Sequence, residues 1–345
     1  MAALVESACP PGEAPGRRDG LLQDLRQHFA AELPGCTLVP FGSAVNGLWT
    51  AGSDLDLSLA APGVEGRVEC KRLLRRAGAA IHRLTGDRPE ARLSASVPVL
   101  RWVPSRSGQP SCDITVNNHL AVANSELIGA YAALDGRLRP LVLAAKLWAR
   151  ARGINDRSRG TLSSFALTLM LVHFLQRRQP PVLPSLQDLA AARGYPPVFI
   201  KGADCRYCSS RTEIGEELER LRGGGPENRE SLGLLLREFF RYFGYEYTHG
   251  TIAIRDRRCF APAEDEDTCY LRVDNPFEPG TDIANVEVSL YTRLREEFRR
   301  AHALLSESCG LEEACAPPPS LFGLSPLADP LRPGINAPLG AGLLP

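Results

Sequence analysis

Residues 52–60 read Gly-Ser-Asp-Leu-Asp-Leu-Ser-Leu-Ala, and the run from Ser53 to Leu59 alternates without a break. Period two sends successive side chains to opposite faces, so this is a half-buried strand. Leu55, Leu57 and Leu59 point into a core, and Asp54 and Asp56 leave together from the other face. Two close carboxylates repel unless a cation lies between them, and Mg²⁺ takes oxygen ligands, usually only a few from protein. Asp-x-Asp is also an ordinary surface pair, so the motif needs company. Gly42-Ser43 lies at the end of the expected strand Cys36–Phe41, with ten residues between Ser43 and Asp54. A Gly-Ser turn there lets backbone N–H groups and a hydroxyl approach a phosphate closely. Asp113 lies on another expected strand, Ser111–Val116, flanked by Cys112 and Ile114. A carboxylate among apolar neighbours needs a charge partner, and a metal shared with Asp54 and Asp56 would be one. Carboxylates around two ions suit in-line displacement at phosphorus.

Around this centre, Leu21–Leu33 and Lys71–Leu84 carry apolar residues at helical spacing, and Ser96–Val103 reads as a strand. The Ser-, Pro- and Gly-rich stretch Pro104–Pro110 reads as a hairpin loop. The first part of the chain is therefore a small mixed sheet with helices. From Asn124 onward helices dominate: Leu138–Arg152, Ser163–Gln176, Ile214–Arg222, Ser231–Phe243 and Val286–Leu305, with a short strand at Ile252–Ile254. Residues 1–19 and 309–345 are rich in Pro and Gly and read as disordered. Lys146 and Arg150 share a helix face. They lie in the stretch Arg137–Arg159, where seven basic residues face one acid, Asp156. Such a stripe suits phosphate or is simply a solvated face.

The length of 345 residues predicts two domains and a tail. With 44% hydrophobic and 23% charged residues, whole-chain disorder and a collagen-like fold are excluded. The longest apolar stretch, Leu162–Leu175, is interrupted and short of the roughly 20 residues of a membrane span. The N-terminus has no apolar signal region, and Glu6 and Glu13 beside Arg17 and Arg18 weaken a transit-peptide reading. No membrane association is expected. Basic and acidic residues balance at 40 each, so nucleic-acid binding would have to be local. Cys205 and Cys208 form a C-x-x-C without a second ligand pair, so the ten cysteines read as reduced thiols rather than a zinc site.

Together Phe41-Gly42-Ser43, Asn46-Gly47 and Gly52-Ser53-Asp54-Leu55-Asp56-Leu57 resemble the signature of the DNA polymerase β-like nucleotidyltransferases. Within them the chain resembles the terminal RNA nucleotidyltransferases, that is, terminal uridylyltransferases and cytoplasmic-type poly(A) polymerases. Asp113-Ile114-Thr115-Val116-Asn117-Asn118 is similar to the third-carboxylate strand of that family. Lys146-Leu147-Trp148-Ala149-Arg150 and Gly160-Thr161-Leu162-Ser163-Ser164-Phe165 are similar to its central-domain core. Asn275-Pro276-Phe277-Glu278 is similar to its nucleotide-recognition loop. The match runs over residues 20–306.

The resemblance implies an α+β fold: a polymerase β-like nucleotidyltransferase domain over 20–130 and a mainly helical poly(A) polymerase-associated central domain over 131–308. The recognition loop would be 274–285, the disordered segments 1–19 and 309–345. Asp54, Asp56 and Asp113 would be catalytic and hold two Mg²⁺ (or Mn²⁺) ions. Gly42, Ser43, Lys146 and Arg150 would hold the triphosphate. Asn118 and Asn124 would sit by the ribose, Ser164 by phosphate or ribose, Phe165 on the base, and Glu278 at the base edge. On the residues alone Phe165 is also ordinary core, Ser164 and Thr161 also helix caps, and Asn124 also a cap. The family usually has Lys at the position of Arg150, Tyr at Phe165 and an acid at Asn275, and several uridylyl members have His at Thr281. The implied reaction is transfer of UMP from UTP, or AMP from ATP, to the 3′ end of single-stranded RNA. The tail would dock a protein partner or be plain disorder. The expected compartment is the cytoplasm, with mitochondrion and nucleus as alternatives. The readings from other classes are a catalytically silent scaffold and a nucleotide-signalling enzyme of the 2′-5′ oligoadenylate synthase kind.

Overall fold

Leu55, Leu57 and Leu59 are completely buried, and the strand they define anchors a five-stranded sheet. The computed structural model describes residues 14–317, apart from 51, 248–249, 256–258, 261–270, 285 and 308. The first unit runs α1 (Ala14–Glu32), β1 (Thr37–Phe41), β2 (Leu55–Ala60), α2 (Gly66–Thr85), β3 (Glu90–Arg92), β4 (Val99–Trp102) and β5 (Cys112–Val116). Its sheet has the order β1-β2-β5-β4-β3; β2 and β5 are parallel and the other neighbours antiparallel. Leu25, Phe29, Leu74, Ala77 and Ile81 from the two helices close its core over the strand leucines.

The second unit is mostly helical. It contains α3 (His119–Leu134), α4 (Leu138–Ala151), α5 (Ser164–Arg177) and α6 (Leu186–Ala192), then a small hairpin of β6 (Phe199–Ile200) and β7 (Ala203–Asp204). There follow α7 (Arg211–Arg222), α8 (Leu232–Arg241), β8 (Thr251–Ile252), β9 (Cys259–Phe260), β10 (Arg272–Asn275), β11 (Glu278–Asp282), α9 (Val288–Ser306) and α10 (Leu311–Cys315). Serines 163, 185, 210 and 231 start four of these helices by accepting a backbone N–H of the first turn. An aromatic centre holds the helices together, with Trp148 at 4.7 Å from Phe240 and 5.0 Å from Phe298. Although α3 follows β5 directly, its Leu127, Ile128 and Tyr131 are buried in this second core.

Two expected disordered segments are shorter than the sequence suggested. Residues 14–19 form the first turns of α1, because tertiary contacts hold them. Arg18 donates to Ala44 O at 3.0 Å and stacks 5.2 Å from the Trp49 ring, and Arg17 donates to Gly108 O at 3.1 Å. At the other end α10 lies within the expected tail. Leu311 and Ala314 are buried, and Arg300 donates to Ala314 O at 2.9 Å. Residues 1–13 and 318–345 lie outside the described residues. Among the described residues no helix is long and apolar enough to cross a membrane.

Candidate nucleotide site

The register of three adjacent strands places the acidic centre. Asp56 pairs with Phe41 of β1 on one side and with Asp113 of β5 on the other. Asp54 stands just before β2, and the Ser111 hydroxyl donates to its Oδ1. Gly42 follows Phe41 with φ +69°, and a Cβ built on it would fall 2.3 Å from Asp56 Oδ2. Only a residue without a side chain allows the turn and the carboxylate to coexist.

Gly42, Ser43, Asp54 and Asp56 line a cavity of about 470 Å³. Asn124 and Ser125 of α3 and Lys146 and Arg150 of α4 face it, as do Arg157, Ser164 and Phe165. The volume is in the range of small-ligand sites. Of the expected residues, Asp113, Asn118 and Glu278 do not line it. Asp113 is one strand away through the register. Asn118 is the cap position of α3, and its N–H donates to Ser58 Oγ at 3.0 Å. Glu278 connects through Asn275, whose Nδ2 donates to Glu278 Oε2 at 2.7 Å. Asn124 in turn donates to Asn275 Oδ1 at 3.2 Å.

The competing structural roles resolve residue by residue. Asn124 is in the middle of α3, not at its cap. Ser163, not Ser164, caps α5, and Ser164 donates to Asn155 Oδ1 at 3.0 Å. Phe165 is half-buried against the second core and also lines the cavity. The basic stripe largely dissolves into local pairs. Arg137 bonds Asp135 and Asn228, Arg139 bonds Gly47 O, Arg152 is buried against Glu297, and Arg159 pairs with Asp156. Among the described residues its cavity-facing members are Lys146, Arg150 and Arg157. The loop before Asp54 tethers two of them: Lys146 donates to Leu48 O at 3.1 Å and Arg150 to Thr50 Oγ1 at 3.2 Å. Nothing in residue type or spacing marks Leu48, Thr50 or Asn275 as supports; they emerge from packing.

The electrostatics are those of a site poised for opposite charge. Burial, together with the charges of Asp113 and Asp54, pushes the Asp56 carboxyl up to about 7. Asp113 is raised by burial and by Asp54, against the pull of Arg101. Burial and the neighbouring Arg150 bring the Lys146 amine down to about 8, and burial lowers Arg150 as well. Asp113 Oδ1 is buried and has no hydrogen-bond donor among the described residues. Among the described residues no three His, Cys, Asp or Glu side chains close into a ready-made ligand cage. Even so, an orphaned carboxylate oxygen and carboxyls destabilised by one another fit a hard divalent cation.

A family model described as "Poly(A) RNA polymerase, mitochondrial-like, central palm domain" matches residues 1–133. Poly(A) RNA polymerase cid13 of Schizosaccharomyces pombe is 31% identical over 310 residues, covering 87% of this chain and 51% of that protein. The chain belongs to the terminal RNA nucleotidyltransferase family. Terminal uridylyltransferase 7 of Homo sapiens is 30% identical, covering 76% of this chain and 18% of that protein. A crystal structure of mtPAP in complex with UTP superposes with a TM-score of 0.77 and 26% identity, over 92% of this chain and 72% of that one. A Cid1 poly(U) polymerase mutant bound to MgATP superposes at 0.79 and 25% identity, over 92% of this chain and 97% of that one. The fold is thus the mixed helix-and-sheet fold of polymerase β-like nucleotidyltransferases. The chain spans about half the length of the first curated relatives it matches. Relatives of this chain carry both poly(A) and uridylyl names.

Proposed function

We propose that the chain adds a nucleoside monophosphate from an NTP to an RNA 3′-hydroxyl without a template, with UTP as donor and ATP as the alternative. The observation that carries this reading is the register of Asp56 against Asp113, beside a Gly42 turn and a cavity faced by Lys146 and Arg150. The RNA 3′-oxygen attacks the α-phosphorus, the bond to the β-phosphate oxygen breaks, and that electron pair leaves with pyrophosphate. The hydroxyl proton moves toward the Asp113 carboxylate, which stands in register beside Asp56. Divalent ions held by Asp54, Asp56 and Asp113 would supply Lewis-acid stabilisation of the developing charge. Lys146 and Arg150 balance the triphosphate, and Ser43 meets it at the turn.

The ribose side follows from unspent acceptors. Asn124 is 6% exposed, and among the described residues its Oδ1 has no donor. It suits a ribose hydroxyl. Ser164 spends its own proton on Asn155, so its oxygen also suits a hydroxyl donor better than a phosphate. Phe165 offers a face for the base, a stacking contact worth about 1–3 kcal/mol. Glu278, held by Asn275, would read the base edge. The loop Pro276–Asn285 resembles those of uridylyl members, which supports UTP. The intact carboxylates and Gly-Ser turn weigh against a silent scaffold. RNA outside the cleft would be held by a partner protein.

The test is extension of a 5′-labelled single-stranded RNA with Mg²⁺ and each NTP in turn, beside Asp113→Ala. Extension with UTP by the wild type alone supports the reading. Extension with ATP alone reassigns the base, and failure with every NTP overturns the activity.

A further inference from the structure

We infer that Arg101 receives the last phosphodiester of the RNA acceptor; this rests on the proposed transfer reaction. Arg101 lies on β4, directly across from Asp113. Its guanidinium stands 3.9 Å from Asp113 Oδ2 and 3.7 Å from Asp54 Oδ1. The residues that suit a triphosphate are elsewhere: Gly42 and Ser43 follow β1, and Lys146 and Arg150 come from α4. In the strand order β1-β2-β5-β4, the acidic centre separates the Gly42-Ser43 turn from Arg101.

In-line displacement needs the attacking oxygen opposite the leaving pyrophosphate. With the triphosphate on the β1 side, the RNA 3′-hydroxyl arrives from the β5–β4 side. One sugar behind that hydroxyl is a phosphodiester, and Arg101 is the cation waiting there.

Its bonding state fits the task. Both contacts to the carboxylates are longer than hydrogen bonds. Its side chain is 32% exposed, and no hydrogen bond from its guanidinium forms among the described residues. Arg92 on the next strand is the contrast, closing its fork on Glu90 with two bonds of 2.9 Å. An arginine present only to neutralise Asp54 and Asp113 would close its fork on them in the same way. Arg101 keeps its planar fork open, the geometry that takes a phosphate with two parallel bonds.

The experiment compares wild type, Arg101→Ala and Arg101→Lys on two acceptors. One is an ordinary RNA oligomer. The other carries an uncharged methylphosphonate at its last internucleotide linkage. In the wild type the methylphosphonate raises the KM for RNA about tenfold or more, as expected for a lost charge-assisted bond. In Arg101→Ala the ordinary RNA already shows that higher KM, the methylphosphonate adds nothing, and the KM for NTP stays within about twofold. Arg101→Lys restores part of the affinity, because charge returns without the fork. A methylphosphonate penalty that persists undiminished in Arg101→Ala overturns the assignment, as does a change confined to NTP or to kcat. Wild type that extends neither acceptor overturns the assignment together with the transfer reaction. Wild type that extends both equally overturns the assignment alone.

Discussion

Gly42→Ala isolates the contact between the turn after β1 and the acidic centre. Two costs arise, and they are separable. Alanine at φ +69° is in the left-handed region, which costs about 1–2 kcal/mol. The new Cβ would also meet Asp56 at 2.3 Å from Oδ2, 3.2 Å from Cγ and 3.3 Å from its Cβ. Non-bonded carbon contacts settle near 3.5–4.0 Å, so the carboxylate must retreat by about 1 Å. A misplacement of that size in a reacting constellation costs on the order of 10²-fold in rate. The backbone cost alone lowers the melting temperature by roughly 2–8 °C. Gly86→Ala is the control. Gly86 ends α2 at φ +79°, with nothing within 4 Å of an added Cβ. Initial extension rates and melting curves of the two variants are measured side by side. The expected result is a similar melting shift in both and a rate loss near 10²-fold in Gly42→Ala alone. Equal rates in the two variants would refute the reasoning.

Three further outcomes follow from buried charge. Lys146, brought down to about 8, loses its proton as pH rises through that value, so kcat/KM for NTP falls above about pH 8. Lys146→Arg keeps its charge and moves that limb to higher pH, and a limb unmoved in this variant assigns it elsewhere. His173 is fully buried and pushed down to about 3, whereas in the unfolded chain it titrates near 6.5. The unfolded state therefore takes up the proton first, so stability is complete above about pH 6.5 and declines below it, by about 2 kcal/mol at pH 5. Urea denaturation at pH 7 and 5 reads this, and the difference between wild type and His173→Gln should carry that slope. Arg152 is 5% exposed, donates to both Glu297 oxygens at 2.8 Å and also bonds Ala316 O. Arg152→Ala leaves Glu297 without that partner and should cost about 3–5 kcal/mol, read as a lower urea midpoint; a midpoint unchanged would show the pair contributes nothing.

The central strand was legible because its chemistry is local. Alternation alone assigns Leu55, Leu57 and Leu59 to the core and Asp54 and Asp56 to one face. The i, i+4 spacing of Lys146 and Arg150 likewise carries over directly, since both face the cavity. What escaped depends on partners distant in the chain. The first turns of α1 contain Gly16 and Gly20 and are tied down by Arg17 and Arg18 reaching Gly108 and Ala44. The five residues of α10 are too few to show a period and are fixed by Arg300. The path from Asn124 through Asn275 to Glu278 spans 151 residues at its first link. Arg101 sits in an apolar-looking strand, and only the register with Asp113 gives it a neighbour worth noticing.

The hydrogen bond from Gly42 N–H to Ser125 Oγ, 2.7 Å long, spans two territories. Ser125 belongs to α3, whose apolar side is sunk in the helical core, while Gly42 closes the sheet. A cut after α3 would leave Leu127, Ile128 and Tyr131 bare to water, and a cut before it would take Asn124 and Ser125 away from the cavity. Neither half is self-sufficient, so this cavity is not a modular product of two separable parts. It is a joint, and separating its two sides begins by straining the Gly42 turn that borders the cavity.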